Sequence, residues 1–187
     1  AYIYMNAGSS GVARLSGDTG ARVVIGDGAQ LYLRTDNTGG NRLSGTLNIG
    51  GAGMLTLDSG SVSVTDTALL TGSGTVRLSN GGDIGGAGTL TIASNLDWRG
   101  GSMSNAAGTT VLAGVTTIDN TSGYKYLGRQ VVLTGSMTLG NSSGYYLQIH
   151  NGGRLHLAGG SRLATSTDSG MIYLAGGTSG AALSADA

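Results

Sequence analysis

The feature that most constrains this chain is the length of its apolar runs. They last three or four residues and mostly alternate with polar ones, as in Thr46-Leu-Asn-Ile49, Met54-Leu-Thr-Leu57, Thr75-Val-Arg-Leu78, Thr89-Leu-Thr-Ile92, Met137-Thr-Leu139 and Leu155-His-Leu157. Period two marks half-buried strands. Gly, Asn, Asp and Ser fill the gaps, the residues that tolerate positive φ and make turns. No stretch shows a 3.6-residue period. Strands so short and so numerous do not suit a sandwich, which uses fewer and longer ones. They suit a solenoid, in which successive coils stack in parallel. The expected fold is all-β, a parallel β-helix.

Internal similarity agrees. Asn48-Ile-Gly-Gly-Ala-Gly-Met-Leu-Thr-Leu57 recurs as Asp83-Ile-Gly-Gly-Ala-Gly-Thr-Leu-Thr-Ile92, and Thr117-Ile-Asp-Asn-Thr-Ser-Gly-Tyr124 as Thr138-Leu-Gly-Asn-Ser-Ser-Gly-Tyr145. Strand starts step by roughly 20 residues, a common coil length, which predicts about eight coils in one solenoid spanning residues 1–187. Alternation sends Leu, Ile, Val and Met inward, with Leu55, Leu57, Leu90 and Ile92 as ladder positions, and Thr, Ser, Arg and Tyr outward. Asn120 and Asn141 are candidates for a stacked amide pair at a corner. Neither end reads as a polar cap, which predicts a segment of a longer protein or a subunit that associates end to end or side by side.

Composition narrows the function classes. The 187 residues include 37 Gly, no Pro and no Cys. Without cysteine there is no disulfide, thiolate metal site or Cys nucleophile. Glu is absent and Lys occurs once, which disfavours helix. Missing Pro keeps backbone N–H groups available for a ladder. Ten basic and ten acidic residues give a net charge of zero, which argues against nucleic acid as a partner. No apolar run approaches the ~20 residues of a membrane span, so no membrane insertion of this segment is expected.

The stretch Gly86-Ala-Gly-Thr-Leu-Thr-Ile-Ala-Ser-Asn-Leu-Asp-Trp-Arg-Gly-Gly-Ser-Met-Ser-Asn-Ala-Ala-Gly-Thr-Thr110 resembles a repeat of large bacterial exoproteins: a strand, then apolar-x-Trp-x-Gly-Gly-x-Met, then a Gly-Thr-Thr strand. Tyr126-Leu-Gly-Arg-Gln-Val-Val-Leu133 and Asn151-Gly-Gly-Arg-Leu-His-Leu157 are similar to its downstream elements. The family includes filamentous-haemagglutinin-like exoproteins and autotransporter passenger regions. The resemblance covers roughly residues 83 to 160. It implies a right-handed parallel β-helix, an extracellular or cell-surface location, and an adhesive or structural role.

Candidate chemistry is sparse. His150 and His156 flank one turn and would need a third ligand such as Asp168 to hold a metal; they read as surface histidines, and no metal or cofactor is expected. Most Asp residues, among them Asp18, Asp27, Asp36, Asp58, Asp66 and Asp119, fall in turns. Asp83, Asp97 and Arg99 form the nearest approach to a cluster, so no catalytic residue is assigned. The Gly-rich stretches break the calcium-binding repeat pattern, because Leu90 stands where Asp is required. The Thr row of Thr89, Thr91, Thr109 and Thr110 does not repeat coil after coil, as an ice-ordering array would. The outward aromatics are Tyr2, Tyr4 and Tyr32 near the start and Trp98, Tyr124, Tyr126, Tyr145, Tyr146 and Tyr173 later; of these Tyr124, Tyr126, Tyr145, Tyr146 and Trp98 are the candidate partner surface, suited to glycans or another protein. The function expected is a non-enzymatic, stiff and adhesive segment of a bacterial secreted or surface fibre. The alternative is a polysaccharide-binding or polysaccharide-degrading β-helix.

Overall fold

The computed structural model describes residues 2–7, 14–15, 22–35, 41–79, 81–105, 107–118, 123–140, 146–166, 170–175 and 179–186. Among these there is no helix; every regular element is a strand, and every strand pairing is parallel. The chain is a three-sided β-solenoid. The first face stacks Tyr2–Ala7, Gln30–Thr35, the start of Met54–Thr71, Thr75–Leu78, Asn95–Trp98, Val115–Ile118, Ser136–Leu139 and Arg162–Thr165. The second runs through the middle of Met54–Thr71, Gly82–Gly85, Gly101–Met103, Lys125–Leu127, Leu147–Ile149 and Ile172–Leu174. The third runs through the end of Met54–Thr71, Thr89–Ile92, Thr109–Leu112, Gln130–Leu133, Arg154–Leu157 and Ala182–Ala185.

Alternation builds the interior. On the first face Leu33, Leu57, Leu78, Trp98, Ile118 and Leu139 stack in register, each 5% exposed or less. On the third, Leu70, Ile92, Leu112 and Leu133 do the same. The predicted inward residues Leu55, Leu57, Leu90 and Ile92 are all buried, in four separate ladders. Each such side chain contributes about 1.5–3 kcal/mol by leaving water.

About six turns form the solenoid, against the eight expected. Residues 30–157 carry a buried interior on all three faces. Beyond them, the strands of residues 162–185 pair in register, yet none of their residues is buried. No further coil covers them among the described residues, and pairing alone does not seal a core.

The two sequence repeats have different structural meanings. Thr117 pairs with Thr138 on the first face, so that repeat is one full turn. The longer-range repeat is not. Ile49 and Leu57 lie on the third and first faces, whereas Ile84 and Ile92 lie on the second and third. The same strand–Gly-Gly-Ala-Gly–strand unit therefore turns two different corners. Asn120 and Asn141 lie outside the described residues.

Two basic side chains lie inside, Arg129 against the outward placement expected of arginine. Lys125 and Arg129 are both fully buried. Lys125 occupies an inward position, stacked on Gly101 and under Leu147, and its Nζ donates to the Gly123 carbonyl at 2.9 Å. Arg129 sits at the corner between the second and third faces. Its guanidinium donates to the carbonyls of Ile84, Gly85, Gly88 and Thr109, at 3.1–3.3 Å, and so ties three turns together. Gly108 is required beside it, because a Cβ there would collide with Arg129 Nη2 and with the Gly86 carbonyl. Burial lowers the affinity of the Arg129 guanidinium for its proton, and the Asp83 charge acts in the opposite direction.

Candidate functional site: an aromatic strip on the second face

The second face positions the tyrosines. Tyr126 is the outward residue of Lys125–Leu127, in register with Ser102 on one side and Gln148 on the other. Tyr173 continues the row beyond Gln148. Tyr124 and Tyr146 each stand at the corner leading into their strand. The rings meet along the axis: Tyr124 lies 6.0 Å from Tyr126 and 5.6 Å from Tyr146, and Tyr146 lies 5.5 Å from Tyr173. His150 packs edge-on against Tyr126 at 5.3 Å. These tilted and edge-to-face arrangements suit aromatic quadrupoles. Tyr124 and Tyr173 remain 42% and 47% exposed, so the strip crosses three turns with an accessible outer edge.

A trench of about 450 Å³ runs beside Tyr124 and Tyr126, floored by Gly81, Gly82, Gly101 and Gly123 with Ser102 at its side. Gly81, Gly101 and Gly123 take φ of 92°, 79° and 85° at the corner between the first and second faces. That backbone geometry demands glycine, and a Cβ at Gly101 would also collide with the Gly82 carbonyl.

Tyr124, Tyr126 and Tyr146 are thus brought together as expected. Tyr145 lies outside the described residues. Trp98 does not belong to the surface at all: it is 0% exposed, between Leu78 and Ile118 in the first-face ladder, and its Nε1 has no hydrogen-bond partner. The reason is phase. Trp98 follows Leu96 by two residues, so the alternation that buries Leu96 buries Trp98. Tyr173, read as an outward aromatic but not placed in the partner surface, joins the strip, as does His150, read only as a surface histidine. Register would have found Tyr173, since it shares its outward row with Tyr126 and Gln148.

The polar groups are shared between this face and the first. Asp83, on the second face, accepts hydrogen bonds from Ser102 at 2.6 Å and Ser104 at 2.8 Å, with Ser61 at 3.5 Å. Asp97 lies on the first face, where one carboxylate oxygen accepts from Nε of both Arg77 and Arg99 at 2.9 and 2.8 Å. The two acids of the expected cluster therefore serve different faces. Asp58 pairs with Arg34, and Asp27 accepts from the Ala52 amide at 2.5 Å. His156 meets Ser184 at Nδ1 and Asp186 at Nε2, at 2.9 and 3.1 Å; Asp168 is outside the described residues. Among the described residues no three His, Cys, Asp or Glu side chains converge as a metal site would require. Thr110, expected in an outward Thr row, is inward and fully buried, whereas Thr89 is exposed.

The geometry defines the chain as a β-solenoid with an axial aromatic strip. No family model, curated protein or solved structure matches it.

Proposed function

We propose that this chain is a stiff, adhesive segment of a bacterial secreted or cell-surface fibre, in which the tyrosine strip holds glycans. The observation that carries the reading is the strip itself. Tyr124, Tyr126, Tyr146 and Tyr173 present aromatic surface across successive turns, beside a polar, glycine-floored trench. Aromatic rings with a wet edge suit partners that are apolar on one face and polar at the rim, as sugars are. The shaft role rests on the stacked ladders, which tie each turn to the next along the axis. An extracellular location follows from the exoprotein resemblance.

The test is a glycan array probed with the chain and with a Tyr124→Ser/Tyr173→Ser variant. Both residues are well exposed, so the variant is expected to fold, with an unchanged CD melt. The wild type is expected to retain a defined set of glycans and the variant to lose about tenfold or more in affinity, the scale of one or two lost aromatic contacts. Equal binding by the variant, or no glycan retained by the wild type, overturns the adhesive reading.

A further inference from the structure

The first face carries a second surface feature, independent of the tyrosines. Its outward row reads Arg77, Asp97, Thr117 and Thr138 in register, beyond the buried Thr56. Beside that row lies an open depression of about 370 Å³, lined by Met54, Thr75, Arg77, Asn95, Val115 and Thr117 together with the Asp97–Arg99 pair. It spans four successive strands, a run of about 14 Å at the usual strand spacing. Its walls mix two hydroxyls and a primary amide with two apolar side chains, and Val115 is 53% exposed there.

Arg77 is the group with binding capacity to spare. It gives Nε to Asp97 at 2.9 Å, and that bond fixes the plane of its guanidinium. Its side chain is 28% exposed. The terminal Nη pair is not used in that bond, and a planar pair of N–H donors of this kind matches a carboxylate bidentately. Asp97 does not cancel this capacity, since the oxygen facing Arg77 also accepts from Arg99 Nε.

We infer that this depression binds a linear sugar chain bearing carboxylates, with Arg77 receiving the carboxylate and Asn95, Thr75 and Thr117 the hydroxyls. Length and openness favour an extended polymer over a small buried ligand. Met54 and Val115 offer an apolar ledge to a ring face. This inference stands apart from the shaft reading: it concerns another face and survives if the tyrosine strip binds nothing.

The experiment is a calorimetric and NMR titration of the chain with a trigalacturonate, with a neutral galactotriose as control. Binding of the uronate alone, with amide shifts confined to residues 54–57, 75–78, 95–98 and 115–118, is expected. Arg77→Gln is expected to weaken it by about tenfold or more, the scale of a charge-assisted hydrogen bond. Val115→Glu leaves Arg77 in place and sets a charge of the uronate's own sign in the depression, so it too is expected to weaken binding by about tenfold or more. Melting curves and the unperturbed shifts of residues 130–133 report whether each variant is folded. The inference is overturned if the wild type fails to bind, if the neutral sugar binds equally well, if a sulfated trisaccharide without carboxylates binds in its place, or if Arg77→Gln binds like wild type.

Discussion

Leu155 and Leu183 are partners in one ladder of the third face, facing the same way in adjacent strands. Leu155 is fully buried and Leu183 is 44% exposed. On the second face the same holds for Ile149, buried, and its stacking partner Leu174, 49% exposed. Pattern, register and residue type are alike in each pair; only the presence of a further coil differs. In a solenoid the inward residue of one turn is buried by the turn above it, so alternation fixes direction while stacking supplies burial. The middle turns and the last strand set are therefore chemically similar and energetically distinct.

The widest separation between them is expected at arginines. Arg129, buried in the middle, holds four carbonyls from the two turns before its own. Arg129→Ala leaves a cavity and strips those oxygens of a donor, at about 3 kcal/mol or more. Arg162, exposed on the last strand set, is expected to cost under about 0.5 kcal/mol when replaced by Ala. Arg129→Met separates charge from bulk. Ile84 and Gly88 carbonyls already accept the Ser104 and Thr109 amides, and a buried charge carries its own desolvation cost. The Met variant should therefore recover about 1 kcal/mol or more of the Ala loss. Denaturant unfolding of the three variants measures this; an Ala variant no weaker than Arg162→Ala would remove Arg129 as a tie between turns.

Leucine truncation tests the comparison directly. Leu155→Ala is expected to cost about 2–5 kcal/mol, by lost transfer energy and the cavity left behind. Leu183→Ala, half in water already, should cost under about 1 kcal/mol. Equal losses would mean that the last strand set is sealed in solution by something stacked upon it.

The same contrast explains what could be read from the chain. Alternation in runs such as Thr89–Ile92 and Val115–Ile118 depends only on neighbours in sequence, so the strands, the parallel coils and the inward aliphatic residues were legible. Trp98 was legible too, through its phase with Leu96, but residue type suggested a surface role. Arg129 was hidden because its role depends on residues up to 45 positions away. Its companions are a gap at Gly108 and four backbone oxygens, and backbone oxygens leave no trace in sequence. The tyrosine strip lay between these cases. Tyr124 was visible as part of a one-turn repeat. Placing Tyr173 in the strip required knowledge that the turns lengthen beyond residue 139, where the step grows from 21 residues, Val115 to Ser136, to 26, Ser136 to Arg162.

The smallest expected effect concerns what fastens the last strand set. Asp186 reaches back to the preceding turn: one carboxylate oxygen meets His156 Nε2 at 3.1 Å and the other accepts the Gly159 amide at 2.9 Å. On the same ring, His156 Nδ1 faces Ser184 at 2.9 Å. Asp186 is 52% exposed and His156 32%, so water and salt screen the pair, and Asp186→Ala should cost about 0.5 kcal/mol. Because Ala182–Ala185 has little buried apolar area to hold it, that loss should appear locally. Amide exchange at residues 182–185 should quicken severalfold while residues 130–133 keep their protection and the main melt stays put. A fall in the main melt comparable to that of Leu155→Ala would place the last strand set inside the same cooperative unit as the middle turns, and the distinction between them would fail.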